Sequence, residues 1–241
     1  MRTLLEGFRT NRAFRLATLC VFVLLAITLA APWIAPYDPL HAVMTDANSA
    51  PGAAHWFGTD KLGRDVLSRV LCGALYSLTS VLALVFVIFV LGTTLGIISG
   101  YFGGLVETVI MRVADMMISF PGVILAIAIA GILGGSLLNA MIALTIVTWT
   151  KYARLARSLV LQIKEKEFVQ AAIVNGGTTS HILWTHILPN ILPLLVITAV
   201  ADIGAMTMEL AGLSFLGFGS QPPAPEWGLM LNAVSYTHLT L

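Results

Sequence analysis

Leu78-Thr-Ser-Val81-Leu-Ala-Leu84-Val85-Phe-Val-Ile88-Phe89-Val90-Leu91-Gly92-Thr-Thr-Leu95-Gly96-Ile-Ile98-Ser99 carries no charged side chain, and the charge-free interval around it extends from Val70 to Val106. A helix of this length crosses about 30 Å of hydrocarbon. Gly92, Gly96, Gly100 and Gly104 recur every four residues, so they line one helix face and let a neighbouring backbone approach closely. The run reads as a membrane span built for helix packing.

Working outward, the remaining charge gaps repeat the pattern. Of 241 residues 58% are hydrophobic and only 10% charged, against roughly 45–50% and about 25% in a soluble domain. Too few charges remain to cover a water-facing surface, so the excess apolar surface must meet lipid. Leu16 to Ala31, continuing through Pro32-Trp33-Ile34-Ala35, is a first span. A secretory signal would share its preceding arginines and its Leu-Ala-Ala end, but the positive region is long and further spans follow. The gap from Met116 to Thr150 exceeds one helix and is broken at Pro121-Gly122 and Gly134-Gly135-Ser136, which predicts two short spans, Pro121–Leu133 and Leu137–Thr150. A fifth lies between Asn190 and Gly212 and contains Asp202 and Glu209. The fold class is therefore all-α, a polytopic membrane helix bundle with about five spans.

Orientation follows from lysine and arginine placement. Arg2, Arg9, Arg12 and Arg15 put the N-terminus in the cytoplasm, residues 37–77 outside, and residues 101–120 and 151–186 inside. The inside segments hold ten of the thirteen basic residues. The twelve acidic residues nearly cancel the thirteen basic ones, leaving no bulk field to attract nucleic acid.

The longest inside segment is the most informative. Lys151 to Arg157 is followed by Glu167-Phe-Val-Gln170-Ala171-Ala172-Ile-Val-Asn-Gly176-Gly177-Thr-Thr-Ser180 and by His186-Ile-Leu188-Pro189. It reads as two short helices at an angle: Phe168, Val169, Ala172 and Ile173 form one apolar face, Gly176-Gly177 supplies a left-handed stop, Ser180 caps the next helix, and Pro189 opens the fifth span. The small residues Ala171, Ala172 and Gly176 leave a surface against which another protein can press.

The run Gln170-Ala171-Ala172-x3-Gly176, leading to Ile187-Leu188-Pro189, closely resembles the Glu-Ala-Ala loop of the membrane subunits of ABC importers, with Gln170 where that family usually has Glu. Three further stretches resemble the dipeptide, oligopeptide and nickel permeases, specifically the second of the two paired subunits: Phe57-Gly-Thr-Asp60-x2-Gly63-Arg64-Asp65-x2-Ser68-Arg69, Glu209-x4-Ser214-Phe-Leu-Gly217-Phe-Gly219, and Gln221-Pro-Pro-x-Pro225-Glu-Trp227-Gly228. The resemblance implies a type-I importer transmembrane fold and a peptide permease forming half of a translocation path. It implies as partners a second homologous permease, two ATPase subunits docked on the loop, and an extracytoplasmic substrate-binding protein. The implied location is the bacterial inner membrane. The residues implied at the ATPase contact are Glu167, Gln170, Ala171, Ala172, Gly176, His186, Leu188 and Pro189. Nickel import by the same family and ion-coupled secondary transport are the alternatives.

Asp202 and Glu209 share a helix face at a spacing of seven. An acidic group at membrane depth costs at least about 2.5 kcal/mol, so each must face protein or water. Lining the substrate path and pairing with a neighbouring helix are both open to them. Gly58-x4-Gly63-Arg64-Asp65 imitates a phosphate loop but has an aspartate where a magnesium-binding hydroxyl belongs, and no apolar strand precedes it. No ATPase site, catalytic constellation, cofactor or metal site is expected. His181 and His186, five apart, should diverge on a helix, and Cys20 and Cys72 form no disulfide or metal pattern.

The expected layout is residues 1–77 for the N-terminus, first span and extracytoplasmic segment, 78–234 for the transmembrane domain with its coupling loop at 151–189, and 235–241 for an atypical tail. Asp65 to Leu75 should lie as an amphipathic helix on the outer surface before turning into the second span. No sixth span fits after Gly228, which implies a chain truncated before its last helix.

Overall fold

A computed structural model describes residues 11–239, with side chains through residue 234. Arg2 and Arg9, and the tail side chains from Ser235 onward including His238, lie outside the described residues. Among the described residues every regular element is a helix, with long irregular stretches at 35–65 and 216–226 and one isolated antiparallel bridge between Thr59 and Asp65. It divides into two compact units, Met1–Leu78 with Pro222–Leu241, and Thr79–Gln221.

In the first unit, α1 (Arg12–Ile34) starts where the Asn11 side chain accepts the Phe14 N–H at 3.2 Å. It ends before Pro36, whose ring disfavours a helical Ala35. Only Thr28 and Ala31 are buried along it, while Leu16, Phe22 and Trp33 are open. A helix apolar all round and left bare by the protein is suited to lipid.

The segment after α1 folds around two carboxylates. Asp60 accepts the Leu62 and Arg64 backbone N–H groups at 2.9 and 3.0 Å and Arg64 Nε at 2.7 Å. Asp65 accepts the Ser68 N–H at 2.8 Å and its hydroxyl at 2.6 Å, capping α2 (Val66–Phe102), and meets His55 Nδ1 at 2.9 Å. Arg69 donates from Nη1 to the Pro39 carbonyl at 2.8 Å and from Nη2 to the Ala224 carbonyl at 3.3 Å. Trp227, first residue of α9 (Trp227–Leu239), donates its ring N–H to the Val70 carbonyl at 3.2 Å. A Cβ on Gly73 would stand 2.3 Å from the Pro225 carbonyl oxygen, so only glycine permits this contact. The Phe57–Arg69 and Gln221–Gly228 motifs thus converge, far apart in sequence as they are.

The second unit holds the rest of α2, then α3 (Gly104–Ile118), α4 (Gly122–Leu133), α5 (Leu137–Lys164), α6 (Glu167–Val174), α7 (Thr179–Ile182), a π turn (Leu183–Ile187) and α8 (Leu188–Phe215). Its main core joins Val81, Leu84 and Ile88 of α2 to Ala126, Ala140, Leu144, Met206 and Leu210. The glycine series performs as expected for three of its members. A Cβ on Gly92 would lie 2.4 Å from the Trp149 carbonyl oxygen, on Gly96 2.4 Å from that of Ala153, and on Gly100 2.9 Å from Val160 Cβ. Gly104 touches nothing and begins α3 instead with a φ of +55°.

Four expectations change. The surface helix and the second span are one uninterrupted helix of 37 residues, about 55 Å long at 1.5 Å per residue. No proline or helix stop interrupts Val66–Leu78, so nothing turns the chain there. Against five expected spans, three helices among the described residues are long and apolar enough to cross a membrane, Arg12–Ile34, Val66–Phe102 and Thr179–Phe215, and α3 with α4 makes a fourth only if the pair, bent by 92°, is one broken span. The helix beginning at Leu137 does not stop at Thr150 but runs to Lys164, taking Lys151, Arg154 and Arg157 into its length. Lastly, the fifth span begins at Leu188 and follows α7 without a break, through the π turn.

The Leu-Ser-Phe-Leu-Gly stretch ends α8. Gly217, with φ +87°, donates to the Ser214 carbonyl at 3.0 Å and Phe218 to that of Leu213 at 2.9 Å, the paired bonds of a left-handed helix stop.

Candidate functional site

The loop implicated in coupling is built from α6, α7 and the π turn. α6 ends at Val174, with Asn175 as its cap and Gly176 at φ +78°, and the Gly176 and Gly177 N–H groups donate to the Ile173 and Ala172 carbonyls at 3.0 and 2.9 Å. This is the left-handed stop that the glycine pair predicts. The next cap differs: Thr178, not Ser180, accepts the His181 N–H, and Ser180 lies inside α7. The expected apolar face of α6 also splits. Val169 is fully buried against Ile182, Ile187 and Leu195, with Ala172 packed beside it, whereas Phe168, Ile173 and Val174 are exposed.

Gln170 has its own local reason. Its amide Nε2 donates to the Lys164 carbonyl at 2.9 Å, tying α6 to the end of α5. An ionised glutamate has no hydrogen to give there, and its charge would face the negative end of a helix. Glu167 stands exposed in the first turn of α6, where the helix dipole favours it. Ala171, Gly176 and Pro189 are exposed, and Ala172, His186 and Leu188 half-buried.

The two loop histidines do not diverge. Their ring centroids lie 5.7 Å apart, edge to face, and His186 is 6.1 Å from Phe168. The π turn between them is the cause: Leu188 bonds back five residues to the Leu183 carbonyl, so residues five apart share a face. Pro189, lacking an N–H, follows at once.

Asp202 is buried between α5 and α8. It accepts Lys151 Nζ at 2.6 and 2.8 Å and the Tyr152 hydroxyl at 2.8 Å. Of the two roles open to it in sequence, this geometry is that of pairing with a neighbouring helix. Glu209, two turns further along α8, is half-buried, and no donor among the described residues reaches its carboxylate. It faces a cavity of about 360 Å³ where the α3–α4 bend meets the middle of α5, and Lys151 lines the same cavity.

A second polar seam joins α3 to α5: Arg154 pairs with Asp115, and Arg157 with Glu107, to which its Nε donates at 2.6 Å. Lys164 Nζ donates to the Tyr101 carbonyl at 2.7 Å. Along the sequence these basic residues bear only on orientation. The faint available signal was the spacing of Glu107 and Asp115, two turns apart, opposite Arg154 and Arg157.

Residues 92–241 match the family model described as "Binding-protein-dependent transport system inner membrane component", and residues 2–51 match the "N-terminal TM domain of oligopeptide transport permease C". The nickel transport system permease protein NikC of Escherichia coli (strain K12) is 40% identical over 218 residues, covering 90% of this chain and 79% of the relative. The probable D,D-dipeptide transport system permease protein DdpC of the same strain is 42% identical over 211 residues, 88% and 71% of the two chains. The glutathione transport system permease protein GsiD of Escherichia coli O157:H7 is 42% identical over 226 residues, 93% and 75%. With exposed apolar helices, a loop of small residues ended by the Gly176-Gly177 stop, and matches spanning most of each relative, the chain belongs to the family of binding-protein-dependent transport system inner membrane components, as a multi-pass permease subunit of an ABC importer.

Proposed function

We propose that this permease subunit imports small peptides, pairing with a second homologous permease, receiving cargo from an extracytoplasmic binding protein and taking its motion from two ATPase subunits. Its own role is mechanical: ATP closure displaces residues 151–189, and helices packed as rigidly as α2 on α5 carry the displacement to the translocation path. We take residues 78–234 as the transmembrane domain and the N-terminus as cytoplasmic, an orientation that the weight of basic residues around α1, α3 and α5 supports.

The observation that carries the coupling role is the exposed apolar edge of α6. Phe168, Ile173 and Val174 stand open beside Ala171 and Gly176, and Val174 is 84% exposed. Three outward apolar side chains on an eight-residue helix call for a protein cover. Glu167, Gln170, Ala171, Ala172, Gly176, His186, Leu188 and Pro189 form or brace that contact. The peptide reading is supported by the relatives named for D,D-dipeptide and glutathione transport, and NikC keeps nickel as the competing cargo.

The test is Val174→Asp in the reconstituted importer, since this side chain supports nothing inside the subunit. ATP-driven peptide uptake should fall at least about tenfold, as a charge buried in an apolar contact requires, while the two permeases still co-purify. Undiminished uptake would remove α6 from the ATPase contact, and accumulation of nickel but no peptide would replace the cargo.

A further inference from the structure

We propose that the cavity at the α3–α4 bend receives the charged ends of a zwitterionic peptide, with Glu209 taking the ammonium group and Lys151 the carboxylate. The inference deepens the peptide reading above and rests on it.

Hydrogen-bond arithmetic leads there. A lysine ammonium has three donors, and Lys151 commits two of them to the Asp202 oxygens. Its side chain remains 52% exposed, so the third N–H is free to reach a ligand. Glu209 is an acceptor alone, and no donor among the described residues serves it. One spare donor on a cation and one unserved anion therefore line the same cavity, whose other walls include Ile118, Phe120, Val123 and Val147. At about 360 Å³ it lies within the size range of small-ligand sites.

Charge balance selects the ligand. Asp202 neutralises Lys151, leaving Glu209 as the net charge of the site. An unpaired carboxylate among apolar walls at membrane depth is costly, so the favoured occupant brings its own cation. A simple cation would leave the Lys151 N–H idle. A short peptide with free termini uses both, and its side chains meet the apolar walls. Lys151 is thereby a specificity residue held in position by Asp202 and Tyr152, which explains a buried ion pair beside an open carboxylate.

The experiment uses the complete importer, with its binding protein and ATPases, in proteoliposomes. Initial uptake of a free dipeptide and of its N-acetylated form is measured for the wild type, Glu209→Gln and Glu209→Asp. Because the binding protein is unchanged, any shift in the free-to-acetylated ratio belongs to the permease. The ratio should fall about tenfold or more in Glu209→Gln, the order expected for one lost charge-assisted contact, and recover partly in Glu209→Asp, which also serves if the glutamine variant does not assemble. Ratios within twofold of the wild type for the assembled variants would overturn the zwitterion site while leaving peptide import standing. A wild type that takes up no peptide would overturn both.

Discussion

Lys151, Tyr152 and Asp202 show how a single buried charge is made tolerable. Asp202 is 8% exposed and accepts three hydrogen bonds, all from α5. Removing one partner strands the other, whereas replacing both with apolar groups removes the desolvation penalty as well. Asp202→Asn and Lys151→Met should each lower stability by about 2 kcal/mol, below the 3–5 kcal/mol of a fully buried pair because the Lys151 side chain is half open to solvent. The Asp202→Leu, Lys151→Met double variant should be closer to wild type than the sum of its parts. Thermal unfolding in nanodiscs measures the cycle, and strictly additive losses would mean that the pair contributes nothing.

At the scale of elements, the α2–α5 contact is a backbone-to-backbone seam. Glycines at 92 and 96 bring their helix against the Trp149 and Ala153 carbonyl oxygens, and small residues at 153 and 156, both fully buried, complete it. A backbone carbonyl has no rotamer with which to yield, so Gly96→Val should separate the helices and cost at least about 3 kcal/mol, at the upper end of overpacking effects. Gly204→Val, where no atom lies within 4 Å, should cost less than about 1 kcal/mol, the difference in helix propensity being small. Comparing the two thermal midpoints isolates the seam from the cost of a β-branched residue in a helix, and equal losses would refute it.

For the whole molecule, the segment following α1 depends on carboxylates staying ionised. Burial pushes the Asp60 pKa up, but the bonds from the Arg64 side chain and the Arg64 and Leu62 backbone outweigh it and hold the carboxyl below its ordinary value of 3.8. Burial likewise opposes ionisation of Asp65, and the Ser68 hydroxyl and N–H with His55 overcome it, again leaving the group below 3.8. Carboxyls depressed in the folded state contribute stability that is fully present above the unfolded value and lost as pH falls through the folded one. The unit should therefore hold at neutral pH and loosen below about pH 4, read as faster proteolysis of residues 36–65. Asp60→Asn should be weaker at neutral pH and show a flatter acid limb, and an unchanged limb would show that this carboxylate is not the one protonated.

Much of the plan was written locally. Charge gaps announce helices in lipid whatever their packing partners, because hydrocarbon acts on each segment separately. Gly176-Gly177 and Gly217 end their helices through bonds within five residues, so their role also reads from sequence. The Gln170-Ala171-Ala172 motif and its neighbours revealed the family in the same way. What sequence could not reach were events requiring two distant segments at once. Lys151 and Arg154 look like flanking charges until α5 continues past Thr150 and sets them opposite Asp202 and Asp115. His181 and His186 diverge on an ideal helix and meet on this one because a π turn intervenes. The Phe57–Arg69 and Gln221–Gly228 motifs, separate in the chain, share one set of bonds through Arg69, Gly73 and Trp227. Period, polarity and turn chemistry are properties of neighbours along the chain, whereas ion pairs and backbone approach are decided by packing, so only the tertiary structure could assign them.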